Sequence, residues 1–328
     1  MSKSCPPHLV QSDRAKLTMM VQDNLQEAGS RCGPAFLLDG FNLAFRSFHA
    51  IPELTRSDGF PTNALHGWVK TLWRLADGVD TETAGKIVPA WSYVFFDLEG
   101  SHRHLDILPD YKANRTEMPE ALVRQLPVIK ELTRLMGFTL IESAGVEADD
   151  LIASAAASLV AKNQPVVMVS ADKDFAQLIR PGVNQLLPAP TANPKLGWRW
   201  LDESAVRTKF GVRPNQIVDY LSLIGDSSDN IPGVSGVGPK TAAKWLNDFG
   251  TLEKLLQRWD WVKPERFRMV LKADADRLRM NQTLIRLQQD FDMADKLVPS
   301  QVDASGLIEL LESMEMKNAA AEAGRRLG

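Results

Sequence analysis

The sequence predicts an α/β fold: a largely parallel central sheet with helices on both faces, followed by a helical C-terminal region. Three observations carry that prediction. Short apolar runs at 35–39, 91–97 and 165–172 each end on an aspartate and read as buried strands. Helix-period patterns at 64–76, 119–136 and 148–162 lie between them. After about residue 200, short helical patterns follow one another without a convincing strand.

Taken in order, residues 1–33 are polar and weakly patterned, an extension with one short helix expected around 14–28. Ala35-Phe-Leu-Leu-Asp39 followed by Gly40 reads as a strand and a turn. Trp91-Ser-Tyr-Val-Phe-Phe-Asp97 and Pro165-Val-Val-Met-Val-Ser-Ala-Asp172 repeat that form, and 139–142 is a weaker strand candidate. The α/β unit is assigned to 34–200, a helical region to 201–295 and a tail to 296–328. Helices are expected at 203–210, 214–224, 240–249, 252–257 and 264–289, and again over 306–326. In sheets of this kind ligands gather at the carboxyl ends of the strands, where these aspartates fall.

Composition excludes several classes. With 328 residues, 44% of them apolar and 24% charged, the chain reads as an ordinary globular protein. Cys5 and Cys32 alone cannot build a disulfide framework or a four-ligand zinc site. The N-terminus lacks the apolar core of a secretory signal, and no apolar stretch is long enough to span a bilayer. A cytoplasmic monomer without a membrane partner is expected. The formal net charge of −3 argues against a nucleic-acid partner only until the acids are located. Nine of them sit in the motifs described next, and without those nine the charge becomes +6.

The acids fall into groups: Asp39, Asp97, Glu147 with Asp149 and Asp150, Asp172 with Asp174, and Asp226 with Asp229. Mg²⁺ prefers carboxylate and water oxygens. Two such ions about 3.5–4 Å apart hold the attacking and leaving oxygens of a phosphate displacement. Such a site needs acids drawn from several elements, as here. Taken singly, each has a plainer reading. An aspartate after a strand forms turns or caps helices, and Asp149 and Asp150 open an apolar helix whose dipole they suit.

The ordered set of motifs resembles the 5′-nuclease family, which includes the 5′→3′ exonuclease domain of bacterial DNA polymerase I and the phage flap endonucleases. Glu147-Ala-Asp-Asp150 resembles its first acidic motif, Ser170-Ala-Asp-Lys-Asp174 its second and Gly225-Asp-Ser-Ser-Asp-Asn-Ile-Pro-Gly233 its third. Asp110-Tyr-Lys-Ala-Asn-Arg115 resembles its basic segment, and Asp39-Gly…Phe45-Arg46 its opening strand and helix. The likeness runs from about residue 35 to 290 and implies a PIN-like nuclease fold.

The resemblance further implies that Asp39, Asp97, Glu147 and Asp149 surround one metal and Asp172, Asp174, Asp226 and Asp229 a second. Asp150 matches an acidic position, with helix capping as its alternative role. The segment 101–120 would form an arch or clamp over the site. Lys112 and Arg115 would then act on the scissile phosphate, Tyr111 would stack on a base, and Arg46 and Arg103 would contact the strand. Solvated charge at helical spacing is the plain alternative for these cations.

Downstream, Ile231-Pro-Gly-Val-Ser-Gly-Val-Gly-Pro-Lys240 reads as helix, glycine-rich turn, helix. It resembles the family's helix-hairpin-helix, placed at about 217–249, which grips duplex backbone without reading sequence. Gly233, Gly236 and Gly238 would let that backbone approach, with Lys240 and Lys244 as further phosphate contacts. The implied cofactors are two Mg²⁺ ions, with Mn²⁺ as a substitute, and K⁺ on the hairpin. The implied substrate is branched or 5′-ended duplex DNA, with RNA primers included and a functional link to a DNA polymerase. The rival from another class is a non-catalytic binder of branched DNA with the same fold. The complete acid set argues against it, since crowded like charges near phosphate serve no binder.

Overall fold

The computed structural model describes residues 33–98, 102–190 and 192–328; the helix expected around 14–28, Cys5 and Cys32 lie outside them. Three apolar runs form the centre of a six-stranded sheet. They are β1 (Ala35–Asp39), β4 (Trp91–Phe95) and β6 (Val166–Val169), joined by β5 (Thr139–Ile141), β7 (Val183–Leu187) and β8 (Arg199–Leu201). The strand order is β5-β4-β1-β6-β7-β8, parallel throughout except for β8, which runs antiparallel to β7. Between β1 and β6 the chain reverses its direction of growth across the sheet, so the carboxyl ends of these strands open a crevice.

Side chains alternate along each strand, and both faces are buried. Leu37, Tyr93, Phe95 and Met168 face one core, which α5 (Ala148–Ala161) and the helices between residues 203 and 285 cover. Phe36, Leu38, Val94 and Val167 face the other. There α1 (Gly40–Ala50), α2 (Asn63–Ala76) and α4 (Glu120–Leu135) pack, together with the tail helices α12 (Ala304–Ser313) and α13 (Lys317–Leu327). The helices between these are α3 (His102–Ile107), α6 (Glu203–Phe210), α7 (Ile217–Ile224), α8 (Pro239–Phe249), α9 (Leu252–Gln257), α10 (Arg268–Ala273) and α11 (Ala275–Ile285). Among the described residues no helix is long and apolar enough to cross a membrane.

The passage from β1 to α1 fixes the first acid. A side chain at Gly40 would begin 2.6 Å from the Phe95 carbonyl oxygen and 2.7 Å from the Phe96 ring, so only glycine lets the helix start there. Asp39 is thereby the N-cap of α1, accepting from the Asn42 amide at 3.0 Å.

Several elements differ from the sequence reading. β7 and β8 were not anticipated, because Asn184 and Gln185 interrupt the apolar run of β7 and β8 is a three-residue edge strand. A small antiparallel pair, β2 (Val79–Thr81) with β3 (Gly85–Ile87), is likewise too short to carry a period. The helix expected over 264–289 divides into a 3₁₀ turn (Glu265–Phe267), α10 and α11. The tail helix is two helices, turned apart at Glu315, which adopts a left-handed φ of 58°. Between α7 and α8 the chain forms a minimal ladder of β9 (Gly225–Asp226) and β10 (Ile231–Pro232) within the expected glycine-rich turn.

Candidate active site

Acids from all five groups come together near the carboxyl ends of β1, β4 and β6. Asp39 ends β1, and Ser170, just past β6, donates from Oγ to its Oδ2 at 2.7 Å. Asp97 follows β4 and accepts from the Ala148 amide at 2.5 Å. It therefore caps α5 from another element, while Glu147, the residue at the N-cap position, makes no side-chain cap bond. Asp172 is held in a turn, where its Oδ1 accepts from the Asp174 amide at 2.8 Å. Its own amide donates to Ser170 Oγ at 3.0 Å, and Gln185 Nε2, wholly buried on β7, donates to its carbonyl at 2.6 Å. The plain capping and turn-forming roles thus coexist with a place in the cluster.

Asp174, Asp226 and Asp229 each bring one carboxylate oxygen within 4.8 Å of the others, and Asp226 and Asp229 are buried. Asp174 Oδ1 is buried without a hydrogen-bond partner, with Lys173 Nζ 3.8 Å away. Burial and the charge of Asp172 push the Asp174 carboxyl well above its ordinary range. Asp149 is raised in the same way by burial, Asp172 and Asp39. Burial also lifts Asp97, and it lifts Asp39 to about 6, against the bonds from Asn42 and Ser170. Asp226 is the exception. Burial pushes it up, but Lys173 Nζ at 2.6 Å and Ser228 hold it below the usual value.

Carboxyls lifted by one another's charge, one with an orphaned buried oxygen, form a site short of positive charge. Divalent cations with oxygen ligands fit that donor set.

Cations reach this cluster from the segment between α3 and α4. Lys112 Nζ lies 2.6 Å from Glu147 Oε1, and Arg115 Nη2 lies 2.6 Å from Asp229 Oδ1. Burial works against the charge on each, but the neighbouring carboxylates outweigh it and raise both pKa values. Lys112 sits at φ 58°, a left-handed conformation costing about 1–3 kcal/mol for a side chain of this kind. The Lys112 amide donating to the Asp229 carbonyl at 3.1 Å holds it there. Asn230 Nδ2 to the Asp110 carbonyl at 2.9 Å and Asn114 Nδ2 to Asn230 Oδ1 at 2.8 Å lock the basic segment onto the third acidic motif.

Other predicted residues lie elsewhere. Tyr111, expected to offer its ring to a base, is 8% exposed and stacked on His104 with centroids 4.7 Å apart. Its hydroxyl lies 3.4 Å from Glu147 Oε2 and 3.3 Å from Asp229 Oδ2, so it packs beneath the carboxylates. Arg103 turns away, donating to the Thr283 carbonyl at 2.9 Å at the end of α11. Asp150, buried, accepts from the Gln288 amide at 2.8 Å, fastening α5 to the chain after α11. Arg46 donates to the Ala189 carbonyl on the side of the sheet bearing β7. Lys240 is exposed at the start of α8, and Lys244 pairs with Asp248 at 2.6 Å.

Sequence reasoning passed over Lys173, Ser170 and Gln185. Lys173 had a visible signal, a cation between Asp172 and Asp174. Gln185 had none, since only the pairing of β7 with β6 brings it under the second motif.

The hairpin turn is closely packed. A Cβ on Gly233 would overlap the backbone of Ile224 and Gly225. Gly233→Ala should cost about 1–3 kcal/mol of stability, read by urea denaturation, and the turn would have to open to accept it. An unchanged midpoint would mean that this turn is looser than its packing implies.

Comparison with known proteins agrees with this fold. The model of the 5′-3′ exonuclease N-terminal resolvase-like domain matches residues 34–211, and that of the 5′-3′ exonuclease C-terminal SAM fold matches 212–305. A 5′-3′ exonuclease of Aquifex aeolicus is 37% identical over 88% of this chain and 94% of its own length. The thermostable DNA polymerase I of Thermus thermophilus is 39% identical over 89% of this chain, which spans 33% of that polymerase. In fold, the chain is similar to the bacteriophage T5 D15 flap endonuclease solved with DNA and metal ions. That match has a TM-score of 0.61 and 20% identity, and covers 89% of this chain and 98% of that one. With both domain models matched in order across the sheet and the helical region, this chain belongs to the 5′-3′ exonuclease family.

Proposed function

We propose that the chain is a structure-specific 5′-nuclease that hydrolyses phosphodiester bonds at 5′ flaps and 5′ ends of DNA, with RNA primers as further substrates. The observation that carries this reading is the meeting of Asp174, Asp226 and Asp229 within 4.8 Å beside Lys112 and Arg115. A cluster of acids with adjoining cations suits a phosphate held between metal and protein charge.

In this reading Asp39, Asp97, Glu147 and Asp149 hold one divalent ion and Asp172, Asp174, Asp226 and Asp229 the second, with Mg²⁺ as the resident ion and Mn²⁺ as a substitute. When bound, such ions neutralise the phosphate and lower the pKa of an attacking water. The protein's own part is positioning. Ser170 and Gln185 fix the second motif, Asp97 fixes the start of α5, and Lys112 and Arg115 are shared between carboxylate and phosphate. Asp150 and Tyr111 support these groups from below. The turn at 231–239 and Lys240 would hold the duplex by its backbone, with K⁺ as the ion the turn would take, so branch structure rather than sequence selects the substrate. The DNA polymerase I relatives suggest primer removal or repair as the setting, and in this reading the chain acts as a monomer.

The test is cleavage of a 5′-labelled flap duplex by the purified chain in Mg²⁺ and in EDTA. Cutting near the branch in Mg²⁺ alone is expected. Tight flap binding with no cutting in Mg²⁺ or Mn²⁺ would make the chain a branched-DNA binder instead.

A further inference from the structure

We propose that the strip 258–272, beyond the hairpin, is a second contact for the backbone of duplex DNA, laid against the hairpin turn so that both grip one duplex. The proposal rests on the DNA-processing reading above, but not on catalysis.

Charge is the first ground. Arg258, Lys263, Arg266, Arg268 and Lys272 stand against only Asp260 and Glu265, so the strip carries +3 in a chain of net −3. Arg268 is used internally, donating to the Val262 carbonyl at 2.9 Å and lying 3.4 Å from Glu265. The other four are exposed, and among the described residues none of them has a carboxylate partner within ion-pair distance.

Aromatic rings take the place of carboxylates. Arg258 lies 5.7 Å from the Trp261 ring centroid, Arg266 4.7 Å from that of Phe267 and Lys272 4.8 Å from that of Trp259. A ring orders a cation without neutralising it, so its charge stays available to phosphate. Trp261 and Met269 are also the most exposed large apolar side chains described, at 68% and 66%. Interleaved cations and rings of this kind suit a duplex backbone, with the cations on phosphates and the rings packing on sugars.

The strip is joined rigidly to the hairpin. The buried Phe267 ring lies 3.5 Å from where a side chain on Gly236 would begin. Trp245 of α8 meets that ring edge-on at 5.4 Å and donates from Nε1 to the Lys263 carbonyl at 3.0 Å. From α11, Arg277 donates to the carbonyls of Pro232 and Gly233. Turn and strip therefore pack directly against each other.

The experiment is fluorescence anisotropy of the full chain with labelled duplex in EDTA, over a range of salt, for wild type, the triple variant R258A/R266A/K272A and Trp261→Ala. Loss of three phosphate contacts should weaken binding about tenfold at moderate salt. The slope of log affinity against log salt should fall by roughly 2 to 3. Trp261→Ala should bind about fivefold more weakly with an unchanged slope.

An unchanged slope in a folded triple variant overturns the proposal and leaves the strip as a protein contact. Should the triple variant fail to fold, Trp261→Ala decides, since its ring is mostly in solvent: unchanged affinity overturns the proposal as well. A wild type that binds duplex in this way yet never cuts in Mg²⁺ would remove the nuclease reading alone.

Discussion

Asp172→Asn should reduce turnover by ~10³-fold or more while leaving the fold intact. The amide keeps an oxygen to accept from the Asp174 amide, and neither the backbone amide's bond to Ser170 nor the bond that the backbone carbonyl accepts from Gln185 depends on the carboxylate. What is lost is one negative charge at the point where Asp149 and Asp174 both feel it. Without divalent metal, that loss relieves repulsion, so the variant should melt no lower than wild type. In Mg²⁺ it should gain less stabilisation than wild type, because the stabilisation from a bound ion grows with the logarithm of its concentration over its dissociation constant. Single-turnover cleavage and thermal unfolding with and without Mg²⁺ measure both effects. Asp149→Asn should behave alike, and near-normal turnover in both variants would sink the two-metal assignment.

Lys112→Ala should lower turnover by about 10²–10³-fold, the usual cost of removing one preorganised positive group at a developing charge. Binding of the flap should change little, because the hairpin and the basic strip carry most of the phosphate contacts in this reading. The backbone at residue 112 remains anchored by its amide bond to the Asp229 carbonyl, so the segment should hold its course. Glu147, however, loses its partner at 2.6 Å. Lys112→Arg keeps the charge but not the compact ammonium, and should restore only part of the rate. Separate measurement of flap affinity and saturated turnover decides the role. A variant that loses affinity alone would make Lys112 a binding contact.

The sheet's centre was legible because β1, β4 and β6 are short, mostly apolar runs bounded by turns, the signal that strands buried on both faces produce. The acidic residues were legible for a related reason. A carboxylate at the end of such a strand is placed by the strand, and their common end follows from parallel pairing alone. β7 was not legible, since its Asn184 and Gln185 break the apolar run, and the use of Gln185 depends on β7 lying beside β6.

Long side chains were the least predictable part. Tyr111 and Arg103 looked like ligands for DNA, yet one lies under the carboxylates and the other at the end of α11. Asp150 gave its carboxylate to an amide 138 residues away, which no local pattern encodes.

By itself the sequence determined the α/β class and the place of Asp39 and Asp97 beside the ends of two strands, because these rest on local periodicity; the other acids were read as a set through the resemblance of their motifs to a family. Tertiary structure alone decided which acids crowd within a few ångströms, which cations stand beside them and which stay unpaired. Those outcomes depend on contacts between segments far apart in the chain, where burial and like charge act on groups that no local pattern brings together.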